Sequence, residues 1–123
     1  PTSQLTYGPL EIDLVQRRVK VQEQLIELTP QEFSLLYVLA QSEGVPLTRS
    51  ELLKRAWPDA IDNPRTIDTH VLSLRKKIEF DPRQPAFIQT VRNVGYRFNV
   101  PSAQASMNGY YAESALSVAA SSS

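Results

Sequence analysis

Cysteine is absent from the 123 residues, and the chain holds only one histidine. Without cysteine neither a disulfide nor a thiolate metal site can form, and one histidine supplies too few ligands for a metal ion. The four glycines form no glycine-rich phosphate loop. No apolar run approaches the roughly 20 residues that a membrane span needs, and the first residues lack the basic and apolar regions of a signal peptide. We therefore expect no cofactor, no metal and no membrane contact.

The formal net charge is zero, but the charges are unevenly distributed along the chain. Residues 1–64 carry six Lys/Arg and nine Asp/Glu, whereas residues 65–97 carry seven Lys/Arg and three Asp/Glu. A local basic surface matters more for phosphate binding than the overall charge does. A site for a polyanion is therefore expected in residues 65–97.

The pattern of residues predicts strands first, then helices, then a hairpin. Short alternating segments that predict an antiparallel sheet lie at residues 5–7, 10–14, 18–21 and 24–28. Thr29 and Thr48 are each followed three residues later by glutamate, which predicts two helices that begin with capping boxes. Asn63-Pro64 predicts the start of a third helix over residues 64–79. Two further strands, at residues 87–91 and 96–100, predict a hairpin.

The chain divides by composition into one domain with two short flanks. Residues 5–101 are expected to form a single α+β domain, and residues 102–123, rich in Ser and Ala, are expected to be a disordered tail. Residues 1–4 are interpreted as the remnant of a linker, because the chain starts abruptly as though cut from a longer protein.

The third helix has two opposed faces. Its apolar residues recur at spacings of four, three and four, so one narrow stripe faces the core: Ile67, Val71, Leu74 and Ile78. The expected core residues outside this helix are Phe33, Leu36, Phe87 and Phe98. The opposite face gathers cations and hydroxyls around one leucine: Arg65, Thr69, Leu72, Ser73 and Lys76, with Thr66 and Lys77 on its flank. A DNA major groove admits such a helix and offers acceptors and thymine methyl groups; the alternative is an ordinary solvated face.

Four motifs in this order resemble the OmpR/PhoB family of transcription factors. The resemblance covers about residues 5–100, and its motifs lie at residues 28–36, 47–57, 65–78 and 88–98. It implies a winged helix-turn-helix fold: a four-stranded N-terminal antiparallel sheet, three helices and a C-terminal β-hairpin wing. It also implies sequence-specific binding of double-stranded DNA, with recognition helix 64–79 in the major groove and wing 91–97 at the minor groove.

The resemblance further assigns individual contacts. Those expected to touch the phosphate backbone are Trp57, Arg65, Thr66, His70, Arg75, Thr90 and Tyr96. Lys77, a cation on the flank of the polar helix face, is also expected to touch the phosphate backbone. Those expected to read bases or enter a groove are Thr69, Leu72, Ser73, Lys76 and Arg92. Many members have Arg or another long polar residue where this chain has Ser73, and a polar residue where it has Leu72. We therefore expect an operator rich in A·T rather than one read by a bidentate arginine.

The family also implies partners. These are a receiver domain controlled by phosphorylation in a two-component system, a second copy arranged head-to-tail on DNA, and RNA polymerase, contacted through the loop of residues 58–64. The expected location of such a regulator is the cytoplasm.

Other functions are less well supported by these residues. A winged helix can instead be a protein-interaction module without DNA affinity, and RNA is disfavoured because A-form major grooves do not admit a helix. We do not expect an enzyme: His70 lies near Asp68 in sequence, but about 160° away around a helix, which opposes a catalytic triad. Trp57 is expected either to pack in the core or to place its indole N–H at the DNA.

Overall fold

The computed structural model describes residues 4–60 and 63–99. Four strands come first, β1 (Gln4–Tyr7), β2 (Leu10–Asp13), β3 (Arg18–Val21) and β4 (Gln24–Ile26). Each pairs antiparallel with the next, in chain order. The predicted N-terminal sheet is therefore confirmed. Gln4, which we assigned to the linker, is instead the first residue of β1, opposite Asp13.

Two helices follow, α1 (Pro30–Gln41) and α2 (Arg49–Ala56). Thr29 Oγ1 accepts a hydrogen bond from Glu32 N at 3.1 Å, and Glu32 Oε1 accepts one from Thr29 N at 2.9 Å. Thr48 and Glu51 make the same reciprocal pair, at 3.0 and 2.8 Å. Both predicted capping boxes are present, and each satisfies two backbone donors at a helix start.

The third helix, α3 (Thr66–Ile78), starts two residues later than predicted and ends one residue earlier. Asn63 does not cap the helix directly, because its carbonyl oxygen accepts from Thr66 N at 2.8 Å and its Oδ1 accepts from Arg65 N at 2.9 Å. These bonds close a turn that leads into the helix. The shift concerns only the ends of the helix, so the predicted division of its residues into two faces is unchanged.

The last strands, β6 (Ile88–Val91) and β7 (Gly95–Phe98), form the predicted hairpin. A short strand that we did not predict, β5 (Leu47–Thr48), pairs with β7 and makes the sheet three-stranded. At the crossing, a Cβ on Gly95 would lie 2.1 Å from the carbonyl oxygen of Leu47. This close approach of two backbones requires glycine at position 95.

The core joins both sheets and all three helices. Every residue predicted to lie in it is at most 3% exposed: Phe33, Leu36, Ile67, Val71, Leu74, Ile78, Phe87 and Phe98. The architecture is thus the expected α+β winged helix-turn-helix. The predicted tail, residues 102–123, lies outside the described residues. Among the residues that are described, no helix has the length and apolar character to cross a bilayer.

Candidate nucleic-acid interface

Helix α3 presents one face to the core and the other to solvent, as predicted. Its apolar stripe is at most 1% exposed, whereas Leu72, on the opposite face, is 57% exposed. Arg65, Thr69 and Lys76 are exposed on the same side as Leu72. No other described residue hydrogen-bonds to the side chains of Thr69 or Lys76. This combination of a free cation, a free hydroxyl and an exposed leucine suits base edges and thymine methyl groups.

Ser73 does not belong to this exposed face, which corrects the prediction from the helical wheel. Its hydroxyl donates a short hydrogen bond to Glu32 Oε2, and Lys77 Nζ lies 2.7 Å from Glu32 Oε1. Glu32 is only 4% exposed. Burial raises the pKa of Glu32, but hydrogen bonds from Lys77, Ser73 and Thr29 outweigh burial and hold it below its usual range. Ser73 and Lys77 therefore anchor α3 to the start of α1.

His70 lies on the flank of α3 that faces the first two helices, and Trp57, at the C-terminal end of α2, packs against it. The indole Nε1 of Trp57 donates to the carbonyl oxygen of Gln31 at 3.1 Å, and the two rings meet edge to face with centroids 4.6 Å apart. His70 Nδ1 lies 3.0 Å from the carbonyl oxygen of Thr66. Of our two expectations for Trp57, the structure therefore favours packing.

Asp68 lies on the other flank of α3, which faces the hairpin. Its Oδ1 accepts from Tyr96 Oη at 2.6 Å and from Arg49 Nε at 2.7 Å. Burial raises the pKa of Asp68, but the bonds from Tyr96 and Arg49 outweigh burial and lower it overall. Burial, followed by the bond to Asp68, raises the pKa of the Tyr96 phenol. Since Asp68 is bonded to Tyr96 and Arg49, it is not the hydrogen-bond partner of His70 that a catalytic triad would need.

Arg75 bonds to the hairpin as well. Its Nη2 lies 2.8 Å from both the carbonyl oxygen of Ile88 and Thr90 Oγ1. Tyr96, predicted to touch DNA, is only 6% exposed. The structure thus gives Arg75 and Tyr96 partners within the protein, while their contact with DNA stays a prediction.

The turn of the hairpin, residues 92–94, projects from the protein. Val94 N donates to the carbonyl oxygen of Val91 at 3.0 Å, and Asn93 takes a positive φ of 66°. Arg92 is exposed, and none of the described residues hydrogen-bonds to its side chain. The guanidinium is therefore free to reach a ligand beside α3.

Sequence reasoning missed the buried carboxylates that hold this site together. Glu79 is 6% exposed and accepts hydrogen bonds from the backbone N–H groups of Ala86, Phe87 and Ile88. Burial raises its pKa more than these bonds lower it. The capping box pointed to Glu32 at the start of α1, but nothing in the sequence showed that its carboxylate also bonds to Ser73 and Lys77 of α3.

The sheet, the three helices and the hairpin, with a cationic helix face left open, define a winged-helix domain of the OmpR/PhoB type. The family described as "Transcriptional regulatory protein, C terminal" matches residues 22–98. The chain belongs to this family.

Individual relatives agree with this assignment. The sensory transduction protein RegX3 of Mycobacterium leprae is 42% identical over 94 residues, which cover 76% of this chain and 48% of RegX3. The response regulator DrrB of Thermotoga maritima, described as an OmpR/PhoB homologue, superposes with a TM-score of 0.74 at 36% identity, covering 80% of this chain and 45% of DrrB. This chain therefore spans about half the length of these two proteins.

A third relative is an isolated domain. The DNA-binding domain of RstA from Klebsiella pneumoniae, solved in complex with the RstA box, superposes with a TM-score of 0.72 at 32% identity. The match covers 80% of this chain and 98% of the RstA domain.

Proposed function

We propose that this domain binds specific sites on double-stranded DNA and regulates transcription as the effector domain of a two-component response regulator. Its family membership supports this proposal, and so does its likeness to an RstA domain solved on DNA. In the proposed complex α3 lies in the major groove and the hairpin reaches the neighbouring minor groove. We propose no catalytic role.

The observation that carries the proposal is the open face of α3, which consists of the exposed residues Arg65, Thr69, Leu72 and Lys76. On this face an exposed leucine lies between a threonine and a lysine, and neither polar side chain has a hydrogen-bond partner among the described residues. We assign base reading to Thr69, Leu72 and Lys76, with Leu72 against a thymine methyl group. Ser73 is left out because its hydroxyl is already bonded to Glu32. The expected operator is rich in A·T under this helix.

Phosphate contacts would surround this face. Arg65, just before α3, and Thr90, in β6, are exposed. Thr66 and His70, both in α3, are half-buried. Contacts by Trp57, Arg75 and Tyr96 stay predictions of the family resemblance, and a contact by Lys77 stays a prediction from its place on the flank of α3. Arg92 is assigned to the minor groove, where the narrow, strongly negative groove of A·T-rich DNA attracts arginine.

The remaining partners follow from the resemblance and from the length of the relatives. We propose that a receiver domain accompanies this one in the whole protein, and that two copies bind head-to-tail on DNA. We also propose that the loop of residues 58–64, whose Pro58 and Asp59 are exposed, contacts RNA polymerase. A regulator of this kind works in the cytoplasm.

Selection of binding sites from a random duplex library tests the function directly. We expect enrichment of one motif, and binding of the selected duplex that weakens as salt rises, with a log–log slope of about −0.9 per neutralised phosphate. Failure to retain any duplex at low salt would instead favour a protein-interaction module. A G·C-only core under the helix would contradict the assignment of Leu72.

A further inference from the structure

One carboxylate oxygen joins three elements beside the open face of α3. Asp68 Oδ1 accepts hydrogen bonds from Arg49 in α2, at 2.7 Å, and from Tyr96 in β7, at 2.6 Å. The Tyr96 ring also has the guanidinium groups of Arg49 and Arg75 at 5.6 Å from its centroid. A buried phenol held by a carboxylate and two cations has little freedom to move.

These side chains form the polar link between α3 and the hairpin. Within the described residues, every hydrogen bond that joins α3 to β6 or β7 involves Asp68 or Arg75. The two residues are seven positions apart, two helical turns, so they lie on the same flank of α3. Asp68 holds β7, and Arg75 holds β6 through the carbonyl oxygen of Ile88.

The link lies between the two surfaces that must meet DNA together. Leu72 and Lys76 are on the open face of α3, and Arg92 is at the exposed turn of the hairpin. If the angle between α3 and the hairpin changed, binding of α3 in the major groove would leave Arg92 displaced from the minor groove. Misplacement by about 1 Å is enough to weaken an interaction that depends on geometry.

We propose that Asp68 and Tyr96 are positioning residues that set the orientation of the hairpin against α3, and thereby allow the major and minor grooves to be read in one register. This inference rests on the proposed function. The positioning role requires no DNA contact by either side chain: Tyr96 acts through the hairpin, and Asp68 acts through Tyr96 and Arg49.

The test uses Tyr96→Phe, with Tyr7→Phe as the matched control. Both variants remove one partly or fully buried phenol hydroxyl. That of Tyr7 donates to the carbonyl oxygen of Ala40 in α1 at 3.4 Å, and its ring, which packs edge to face on Phe98 of β7, is kept in the variant. Residual dipolar couplings of the DNA-free domain report the orientation of residues 88–98 relative to α3. We expect Tyr96→Phe to change this orientation and Tyr7→Phe to keep it.

The second readout is the ratio of affinities for the selected duplex and a random one. We expect Tyr96→Phe and Asp68→Ala to lower this ratio by about fivefold or more, which is the size of coupling usual between contacting residues. Asp68→Asn should retain the ratio, because an amide oxygen still accepts from Tyr96 and Arg49. Circular dichroism confirms that each variant is folded at the temperature of the measurement.

Two results would overturn the inference. One is an unchanged hairpin orientation in Tyr96→Phe, and the other is an equal loss of the ratio in Tyr7→Phe. Absence of duplex binding by the unmodified domain is a different failure, since it refutes the proposed function while the couplings still report the orientation.

Discussion

Leu72 and Leu74 lie two positions apart on α3 and have opposite roles. Leu74 is fully buried, whereas Leu72 is 57% exposed between Thr69 and Lys76. Isolated exposed leucines are common on protein surfaces. What distinguishes Leu72 is its place at the centre of a polar face without protein partners.

Removal of the Leu72 side chain should weaken discrimination for a thymine methyl group. In the unmodified domain, replacing the contacted thymine by uracil should cost about 0.8 kcal/mol, the value of one buried methylene-sized group. In Leu72→Ala the same replacement should cost nothing. Fluorescence anisotropy with both duplexes measures this; an equal cost in the two proteins would exclude the methyl contact.

Arg65 should contribute to affinity without contributing to sequence preference. We expect Arg65→Ala to weaken binding to selected and random duplexes by the same factor, and to reduce the salt slope by about one unit, as for a lost phosphate contact. Titrations at several salt concentrations provide the slope. An unchanged slope would remove Arg65 from the set of phosphate contacts.

At the scale of elements, α3 depends on packing along its apolar stripe. Leu74→Ala should lower the free energy of unfolding by about 2–5 kcal/mol, because it leaves a cavity in the core. Leu72→Ala is the matched control, with an expected change within about 0.5 kcal/mol. Urea denaturation measures both variants. Similar losses in the two would show that the faces of α3 are assigned wrongly.

The elements that the sequence predicted well are those with local signals. The capping boxes at Thr29 and Thr48 each depend on residues within one helical turn, and the apolar spacing of α3 depends on residues within about three turns. Strand β5 went unnoticed because two residues carry no period of their own, and its existence depends on Gly95, some 48 positions away. The sequence placed Gly95 just before the predicted strand 96–100, where a glycine is explained by the hairpin turn, so its close approach to Leu47 was not anticipated.

The candidate site divides in the same way. A helical wheel predicted its open face correctly. The wheel misplaced Ser73, because it gives the angle of each side chain around the helix axis and not the neighbours that pack against it. Whether a flank residue meets solvent or another helix depends on the packing of α1, and so on Glu32, which is 41 positions away from Ser73. Intramolecular partners of Arg75 and Tyr96 were hidden for the same reason.

For the whole molecule, three carboxylates that accept hydrogen bonds within the fold predict how stability depends on pH. The folded state lowers the pKa of Glu32 and Asp68, so their contribution is present above the ordinary carboxyl range and is lost as pH falls through and below it. The folded state raises the pKa of Glu79, so its contribution has the opposite sign and weakens as pH rises.

Two substitutions separate these opposite contributions. Glu32→Gln should flatten the loss of unfolding free energy between neutral pH and about pH 3, where carboxylates titrate. Glu79→Gln should make that loss steeper, since it removes a group that favours the folded state in acid. Urea denaturation at a series of pH values measures both slopes. Slopes that change in the same direction would contradict the assigned pKa directions.

The most direct test of the DNA-binding surface is a titration of the isotope-labelled domain with its selected duplex, followed by amide chemical shifts. We expect large shifts along residues 65–77, in α3 and the turn that leads into it, and along residues 90–97 of the hairpin, with little change in β1–β4. If the duplex binds and these amides stay unmoved, or if the N-terminal sheet shifts instead, the interface lies elsewhere on the domain.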